Sequence, residues 1–228
     1  MSVGEPIPIV GGSGALGFGL ALRFAAAGRA VTIGSRDPAR AQETAARVRD
    51  RVPEATVTGV ENADAASRGS IVFLTVPFRA QSENLTNLRV ALAAGQILVD
   101  ATAPLAAAIS GKATRLLGVP QGSAAQQAQE MVPDGVSVVS ALHTVSAARL
   151  RDLDVDLDED VLVTGNRKED KRRVAEVIEA ITGLRPVNAG ALEAARFVEA
   201  LTPLLIGVNV RNRTHAGVKL TNLPDKLW

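Results

Sequence analysis

Three glycines near the N-terminus have the spacing of a phosphate-binding turn. Gly12, Gly14 and Gly17 form a G-x-G-x-x-G pattern directly after the apolar run at 7–10. The first glycine permits a tight turn, the second leaves the backbone open to a pyrophosphate, and the third lets the following helix lie close to the strand. A glycine-rich surface turn is the alternative. The order of strand, turn and helix favours a dinucleotide site, in which Ser13, Ala15 and Leu16 complete the turn.

The residues that end the second predicted strand indicate which dinucleotide binds. NAD enzymes usually carry an acidic residue there, which accepts a hydrogen bond from the ribose 2′-hydroxyl. This chain instead has Ser35 and Arg36, followed by Arg40 in the next helix. A hydroxyl and two guanidinium groups would bind a 2′-phosphate through charge-assisted hydrogen bonds, so NADP(H) is predicted. The alternative is a solvated pair of arginines at a helix start, with Asp37 weakening the positive field.

Two further strand ends should face the same crevice, because ligands of open parallel sheets bind beyond the carboxyl ends of the strands. Val76 and Pro77 follow one of these strands, and Thr102 and Pro104 follow the other. Each proline forces the chain to turn, which suits either a contact with the nicotinamide or plain strand termination. A later strand leads to His143, and a lone histidine is more often a hydrogen-bonded structural residue than a catalytic one.

The elements that position these residues alternate between short apolar runs and helical patterns. This alternation predicts an α/β fold of the Rossmann type, with a doubly wound, mostly parallel sheet. Strands are predicted at 7–10, 30–34, 56–60, 71–76, 97–100, 136–141, 161–164 and 185–188. The alternation ends after Asn188. We therefore expect a dinucleotide-binding domain at 1–189 and a small C-terminal helical portion at 190–228 that closes the pocket.

Helix ends are predicted from capping residues. Gly28 suits the left-handed C-cap of the first helix, and Asp37 suits the N-cap of the second. Asn166, with Glu169 three residues later, has the pattern of a capping box. The C-terminal helix starts near Leu192 and is expected to carry its apolar side chains on one side, at Phe197, Leu201, Leu204 and Leu205.

Composition excludes several classes of function. The chain has 228 residues, no Cys, two His and a net charge of +1, so disulfides, thiolate chemistry and zinc sites are not expected, and neither is nucleic-acid binding. We predict no metal site, because the acidic run at 152–160 lacks the spacing of a calcium loop and suits a solvated connection. The charged cluster at 167–173 is expected to be solvated surface as well. No run is long enough to span a membrane, and a cytoplasmic location is expected.

Four segments together are similar to one known family. They are GGSGALGFGLAL from Gly11, IGSRDPAR from Ile33, SALHTVSAAR around His143 and RFVEALTPLL from Arg196. These segments resemble the NADPH-dependent oxidoreductases of the deazaflavin coenzyme F420, and the last two are more specific than any glycine turn. The resemblance implies NADP contacts at Ser13, Gly14, Ala15, Leu16, Ser35, Arg36, Arg40, Val76 and Ala147. It implies that His143, Val145, Arg196 and Thr202 line the deazaflavin side. Ala200 stands where a Ser is familiar, which puts one polar contact in doubt.

The resemblance implies reversible hydride transfer between NADPH and the deazaflavin, and the composition fits this reaction. Hydride transfer requires two stacked rings at about 3 to 3.5 Å and the exclusion of water, with no acid or base triad. His143 would orient a ring carbonyl or stabilise charge on the reduced deazaflavin. The alternatives are an NADPH-dependent reductase of a small imine or 3-hydroxy acid, and a non-catalytic NADPH-sensing module. A homodimer or higher homo-oligomer is expected from the apolar C-terminal helix and Trp228.

Overall fold

Short runs rich in Val and Ile form the strands of one sheet in the computed structural model, which describes residues 4–224 and 227–228. Within this part of the chain the sheet has eight strands in the order β3-β2-β1-β4-β5-β6-β7-β8. The strands are β1 Ile7–Val10, β2 Val31–Ser35, β3 Val57–Glu61, β4 Ile71–Leu74, β5 Ile97–Asp100, β6 Ser137–Ser140, β7 Glu159–Gly165 and β8 Leu184–Asn188. Neighbouring strands are parallel except β6 and β7. The predicted Rossmann-type fold is confirmed.

Helices connect these strands and cover the sheet. They are α1 Ala15–Ala26, α2 Pro38–Arg51, α3 Asn62–Ala66, α4 Gln81–Leu88, α5 Ala124–Met131, α6 Ala147–Arg151, α7 Lys168–Ile178 and α8 Ala195–Asn212. Short 3-10 helices lie at Phe78–Ala80, Ala106–Ile109 and Leu192–Ala194. None of the helices in the described residues is long and apolar enough to cross a membrane.

The core lies on both faces of the sheet because side chains alternate along each strand. Ile9 packs on one face, where Phe24 of α1 lies 5.5 Å from the ring of Phe73. Val10 and Leu74 pack on the other face with α4 and α5. Burying each of these side chains contributes about 1.5 to 3 kcal/mol. The carboxyl ends of β1, β2 and β4 are thereby held side by side.

Two predicted helix caps are confirmed and one is wrong. Gly28 has φ +72 just after α1, and the Asp37 carboxylate accepts a hydrogen bond from the Ala39 N–H at the start of α2. Asn166 does not cap α7, whose N-cap residue is Arg167 and has no side-chain cap. The Asn166 side chain instead accepts a hydrogen bond from the Leu192 N–H, 3.1 Å away. A long-range backbone donor has therefore replaced the local one that the capping-box pattern predicts.

The two charged segments are less exposed than expected. In the 167–173 cluster, Lys171 is buried and its Nζ donates to Asn188 Oδ1 and Gly190 O, while buried Asp170 accepts from Ser137 Oγ. The acidic run at 152–160 ends inside β7, where Glu159 and Asp160 are buried. Buried charges need partners, and Asp160 has two hydrogen bonds from the Arg185 guanidinium. Both predictions of solvated surface are wrong at these positions.

The C-terminal helix α8 buries a different side from the one expected. Its buried residues are Ala195, Val198, Glu199 and Pro203. Leu201 packs with them near Leu162 and Val187, as predicted. Phe197 and Leu204 are 70% and 59% exposed, which is contrary to the prediction. α8 is apolar on more than one side, so its pattern alone does not identify the side that contacts the sheet.

Candidate active site

A cavity of about 380 Å³ opens at the carboxyl ends of β1, β2 and β4. It brings together seven of the predicted site residues, namely Ser13, Gly14, Ser35, Arg36, Arg40, Val76 and Pro77. Its other lining residues are Gly11, Asp37, Asn62, Thr75, Arg79, Ala80 and Asn84. The cavity therefore lies at the point where the strand order reverses beside β1, as expected for a doubly wound fold.

The glycine turn has the close contacts that its spacing predicts. A Cβ atom added to Gly17 would lie 2.6 Å from Gly12 Cα and 2.6 Å from Thr75 Oγ1, so a side chain there would push α1 off the turn. At Gly14, the N-cap residue of α1, the atoms within 4 Å of an added Cβ are Gly11 O and Thr75 O. The first N–H groups of α1 have no carbonyl acceptor within the helix. The turn therefore fits an anion, and a side chain at Gly14 would occupy the ligand's space.

The arginine pair forms part of the rim of the same cavity, and Ser35 Oγ, just before it, lies 3.5 Å from Ser13 Oγ of the glycine turn. Ser35 is buried at the end of β2, and its Oγ accepts a hydrogen bond from the Asp37 N–H at 3.2 Å. A guanidinium nitrogen of Arg36 lies 3.8 Å from Glu83 Oε2. Both side chains are more than 60% exposed, so this ion pair contributes little to stability and leaves the Arg36 charge available to a ligand. Because the Asp37 carboxylate caps α2, it does not neutralise either guanidinium by a salt bridge. The rim therefore remains positive and suits a phosphate group.

Three polar residues of the cavity were not predicted from the sequence. Arg79 adds a third guanidinium, and Asn62 and Asn84 add buried amides. Asn62 follows β3, and the other two follow β4, so all three lie near the carboxyl ends of strands. That position is the one signal that could have identified them. Asn and Arg are common residues in helices and loops, so their residue type did not indicate that they line the cavity.

His143 lies in a buried turn after β6. Leu142 before it has φ +72, a costly conformation for a residue with a large side chain. This turn places His143 Nε2 3.0 Å from the Thr102 carbonyl, while the His143 carbonyl accepts from Thr202 Oγ1 at 3.0 Å. A carbonyl oxygen only accepts, so Nε2 carries the proton and the unpartnered Nδ1 is an acceptor. Burial lowers the pKa of His143 to about 4, and the ring is neutral at pH 7.

The neutral His143 ring, with Nδ1 as an acceptor, does not suit the two roles expected for it, which were to orient a ring carbonyl and to stabilise negative charge. The Nε2 proton is already donated to Thr102, so the ring has no N–H left for a ligand carbonyl. A neutral ring also supplies no positive charge to a reduced deazaflavin. His143 instead joins the end of β5, through Thr102, to α8, through Thr202.

Two buried carboxyl groups lie close to this turn. Asp100 accepts hydrogen bonds from Thr102 and Gln81, and burial raises its pKa to about 6. Glu199 of α8 accepts hydrogen bonds from the Ala124 and Ala125 N–H groups at the start of α5. Burial raises the pKa of Glu199 to about 8, against the opposite effect of these two hydrogen bonds. Glu199 thereby attaches α8 to the helix that packs beside β5 and β6.

We expect the stability contributed by the buried Glu199 to be lost progressively as pH rises from about 4.5 to about 8. The pKa of Glu199 is raised from an ordinary value of 4.5 to about 8 in the folded chain, so the folded state binds this proton more tightly than the unfolded state. The free energy of unfolding then decreases as pH rises towards 8, by at most about 1.4 kcal/mol per pH unit for one proton. Thermal unfolding midpoints across this range measure the slope. Glu199→Gln should flatten it, and Glu130→Gln, at an exposed site on α5, should not.

The remaining predicted residues lie outside the 380 Å³ cavity. Thr102 and Val145 are buried, and Val145 packs in the core. Ala147 begins α6 and is half-buried, and Arg196 is exposed on α8 with its guanidinium near Gln126 Oε1. Gly12 and Gly17 are buried within the turn, Ala15 is exposed and Leu16 packs on the core. A direct ligand contact for the residues on the deazaflavin side therefore stays a prediction.

Comparison with known proteins identifies relatives along nearly the whole chain. Residues 6–104 match the family described as NADP oxidoreductase coenzyme F420-dependent. The chain is 40% identical over 224 residues to an F420-dependent NADP reductase of Methanothermobacter thermautotrophicus, covering 96% of each protein. It is 41% identical to a protein of the same name from Methanocaldococcus jannaschii, covering 95% of this chain and 98% of that protein.

A solved structure agrees with these relatives. The chain resembles the crystal structure of a putative F420-dependent NADP reductase from Arthrobacter sp. FB24, with a TM-score of 0.76 and 27% identity, over 96% of this chain and 100% of the other. The likeness thus includes the C-terminal helix as well as the sheet. The chain belongs to the family of coenzyme F420-dependent NADP oxidoreductases.

Proposed function

We propose that the protein transfers hydride reversibly between NADPH and coenzyme F420. In the direction of NADP reduction, the reduced deazaflavin gives a hydride to the nicotinamide and a proton to solvent: F420H2 + NADP⁺ = F420 + NADPH + H⁺. The observation that carries the proposal is one cavity lined by both the glycine turn and Ser35, Arg36 and Arg40, in a chain of this family. The two coenzymes supply the redox chemistry, and the protein binds and orients them.

The NADP(H) site is proposed at this cavity. The turn around Gly14 and the N-terminus of α1 bind the pyrophosphate, and Arg36 and Arg40 bind the 2′-phosphate. Val76 and Pro77 lie where β4 ends, towards the nicotinamide end of the crevice. Gly12, Ser13, Ala15, Leu16, Gly17 and Ser35 complete this set. A hydroxyl and two guanidiniums favour the phosphorylated ribose over the free 2′-hydroxyl of NAD. β2 ends in Ser35, not in the Asp or Glu that would accept a hydrogen bond from that hydroxyl.

The deazaflavin side is proposed between the ends of β5 and β6 and the C-terminal portion at 190–228. Val145, Arg196 and Thr202 are the residues assigned to it, with Ala147 on the NADP side, and small side chains such as Ala101 and Ala103 leave room for a flat ring. The hydrogen bonds of His143 to Thr102 and from Thr202 support this assignment, since they connect the three elements that would surround the ring. The portion at 190–228 acts as a second, smaller unit that closes the pocket and excludes water.

The proposal is tested by an anaerobic assay of the purified protein. Oxidised coenzyme F420 should lose its visible absorbance when NADPH is added, and the absorbance should return with excess NADP⁺. NADH at the same concentration should give a much slower change, because it lacks the 2′-phosphate. Binding of NADPH with no change in the F420 absorbance would contradict the proposal and favour a module that only senses NADPH.

His143 is proposed to be a positioning residue rather than a proton donor. We expect His143→Ala to lower the rate of hydride transfer by about tenfold, because the turn after β6 would lose its side-chain hydrogen bond to the Thr102 carbonyl, while the bond from Thr202 to the backbone carbonyl of residue 143 would remain. The rate should not titrate with His143 between pH 5.5 and 8, since the pKa of about 4 keeps the ring neutral. Single-turnover kinetics measure both results. An unchanged rate in the variant would exclude this role.

We also propose that the protein is a homodimer or a higher homo-oligomer in solution. The apolar side chains of Phe197 and Leu204 are exposed on α8, and the half-buried Val208 lies beside them at helical spacing. An exposed apolar stripe of this kind is typical of a subunit contact. Trp228 is not part of this argument, because its ring packs on the core and its Nε1 donates to Pro186 O. The mass of the assembly in solution tests the proposal.

A further inference from the structure

A chain of side-chain hydrogen bonds connects two segments that line the nucleotide cavity. The Gly11 N–H donates to Asn62 Oδ1 at 3.2 Å, and Asn62 Nδ2 donates to Asn84 Oδ1 at 3.0 Å. Asn84 Nδ2 then donates to the carbonyl of Ala80 at 2.7 Å. Gly11 belongs to the glycine turn, Ala80 is the N-cap residue of α4, and both line the cavity. We call this set, Gly11–Asn62–Asn84–Ala80, the amide relay.

The orientation of each amide in the relay is determined by its two ends. The Ala80 carbonyl can only accept, so it faces the NH₂ group of Asn84, whose oxygen must then face Asn62. The Gly11 N–H can only donate, so it faces the oxygen of Asn62, whose NH₂ group must then face Asn84. The two requirements meet at the Asn62–Asn84 hydrogen bond without conflict. A reversed amide at either position would leave two donors or two acceptors facing each other.

The relay restricts a glycine, the residue type with the greatest backbone freedom. Gly11 has φ +74, and an added Cβ there would lie 2.7 Å from Val76 Cγ1, so the turn is pressed against the end of β4. Asn62 and Asn84 are only 5% and 3% exposed, so water does not replace their partners easily. Without Asn62, the Gly11 N–H would lose its side-chain acceptor. The direction of the Gly11 peptide influences where the next N–H groups of the turn point.

We propose that Asn62 and Asn84 are positioning residues for the dinucleotide pyrophosphate. They hold the Gly11 peptide in place and connect it to α4, so that the glycine turn is already in its binding conformation before the ligand arrives. This inference rests on the proposed NADP(H) site. The pyrophosphate is common to NADPH and NADH, so loss of the relay weakens the binding of both coenzymes by the same factor. This effect differs from that of the arginine pair, which acts on the 2′-phosphate alone.

Binding measurements on Asn84→Leu test the relay. Leu has no side-chain hydrogen-bonding group, and Asn84 hydrogen-bonds Asn62 and Ala80 rather than Gly11 itself. We expect the Kd values of NADPH and NADH, measured by nicotinamide fluorescence, to rise together by about tenfold, which corresponds to about 1.4 kcal/mol. The control is Leu85→Val, at a fully buried position on the same helix, which loosens the packing of α4 without touching the relay. Unchanged Kd values in Asn84→Leu, or an equal rise in Leu85→Val, would overturn the inference.

Two further measurements keep the inference testable if Asn84→Leu does not fold. In the wild-type protein without ligand, the Gly11 amide should exchange slowly with solvent, because it is hydrogen-bonded to a buried side chain, and rapid exchange would overturn the relay. In a double-mutant cycle, the effects of Asn62→Ala and Asn84→Ala on NADPH binding should be less than additive, because either change breaks the same chain, and additive effects would overturn it. Failure of the wild-type protein to bind NADPH would instead contradict the proposed function itself.

Discussion

Replacing both Arg36 and Arg40 by Ala is expected to raise the KM for NADPH tenfold or more and to leave the KM for NADH nearly unchanged. Both guanidiniums line the cavity beside Ser35, and among the described residues Arg36 has one long, exposed ion pair, with Glu83, and Arg40 has none. Each charge-assisted hydrogen bond to a phosphate contributes about 1.5 to 3 kcal/mol, which is reduced here by solvent because the side chains are exposed. NADH has no 2′-phosphate and loses none of these contacts.

Steady-state kinetics with the two coenzymes measure this difference, and the ratio of the two KM values is the informative quantity. A matched control is the double substitution Arg51→Ala and Arg89→Ala, which removes the same charge from exposed positions outside the cavity. It should change neither KM by more than about twofold, as expected for long-range effects screened by salt. If the variant at residues 36 and 40 weakened both coenzymes equally, the assignment of the 2′-phosphate would be wrong.

Gly14→Val is expected to fold but to bind NADPH about a hundredfold more weakly. The nearest atom to an added Cβ is Gly11 O at 3.2 Å, a tight but tolerable contact, and the rest of the Val side chain would project into the cavity. Forcing extra methyl groups into a close contact costs about 1 to 3 kcal/mol. In Gly14→Val this energy is lost from the complex with NADPH and not from the free protein, because the cavity beside residue 14 is open until the pyrophosphate binds.

Calorimetric titration with NADPH and thermal unfolding together separate binding from stability in this variant. Gly118→Val is the control, since no atom lies within 4 Å of an added Cβ at that position. Both variants should unfold near the wild-type temperature, and only the one at residue 14 should lose binding. Normal NADPH affinity in Gly14→Val would mean that the pyrophosphate does not approach this turn.

Much of the fold could be predicted because it depends on local sequence patterns. The eight predicted strands agree with those of the described structure to within two residues at each end. The caps at Gly28 and Asp37 were also correct, because each depends on atoms only a few residues away. The Asn166 cap was wrong because its side chain has a donor at Leu192, far along the chain. A local pattern contains no information about such a competitor.

Charged residues show the same limit. Lys171 and Asp160 lie in segments whose composition suits solvated surface, yet both are buried with specific partners. Burial of a charge is favourable only when a partner of suitable geometry is brought to it by the fold. Composition and spacing describe one segment at a time, so they do not reveal a partner that comes from another segment.

The amino-acid sequence by itself determined the elements of the proposed nucleotide site. They are the order of strand, glycine turn and helix, the serine that ends β2 and the arginines that follow it. These features lie within single turns, where a few neighbouring backbone and side-chain atoms decide the outcome. Only the tertiary structure decided that His143 is a neutral link between β5 and α8, that Glu199 is buried against α5, and that Asn62 and Asn84 form a hydrogen-bonded chain from Gly11. Each of those roles depends on hydrogen bonds or desolvation between segments distant in the chain, and these arise only when the whole sheet and its helices are packed.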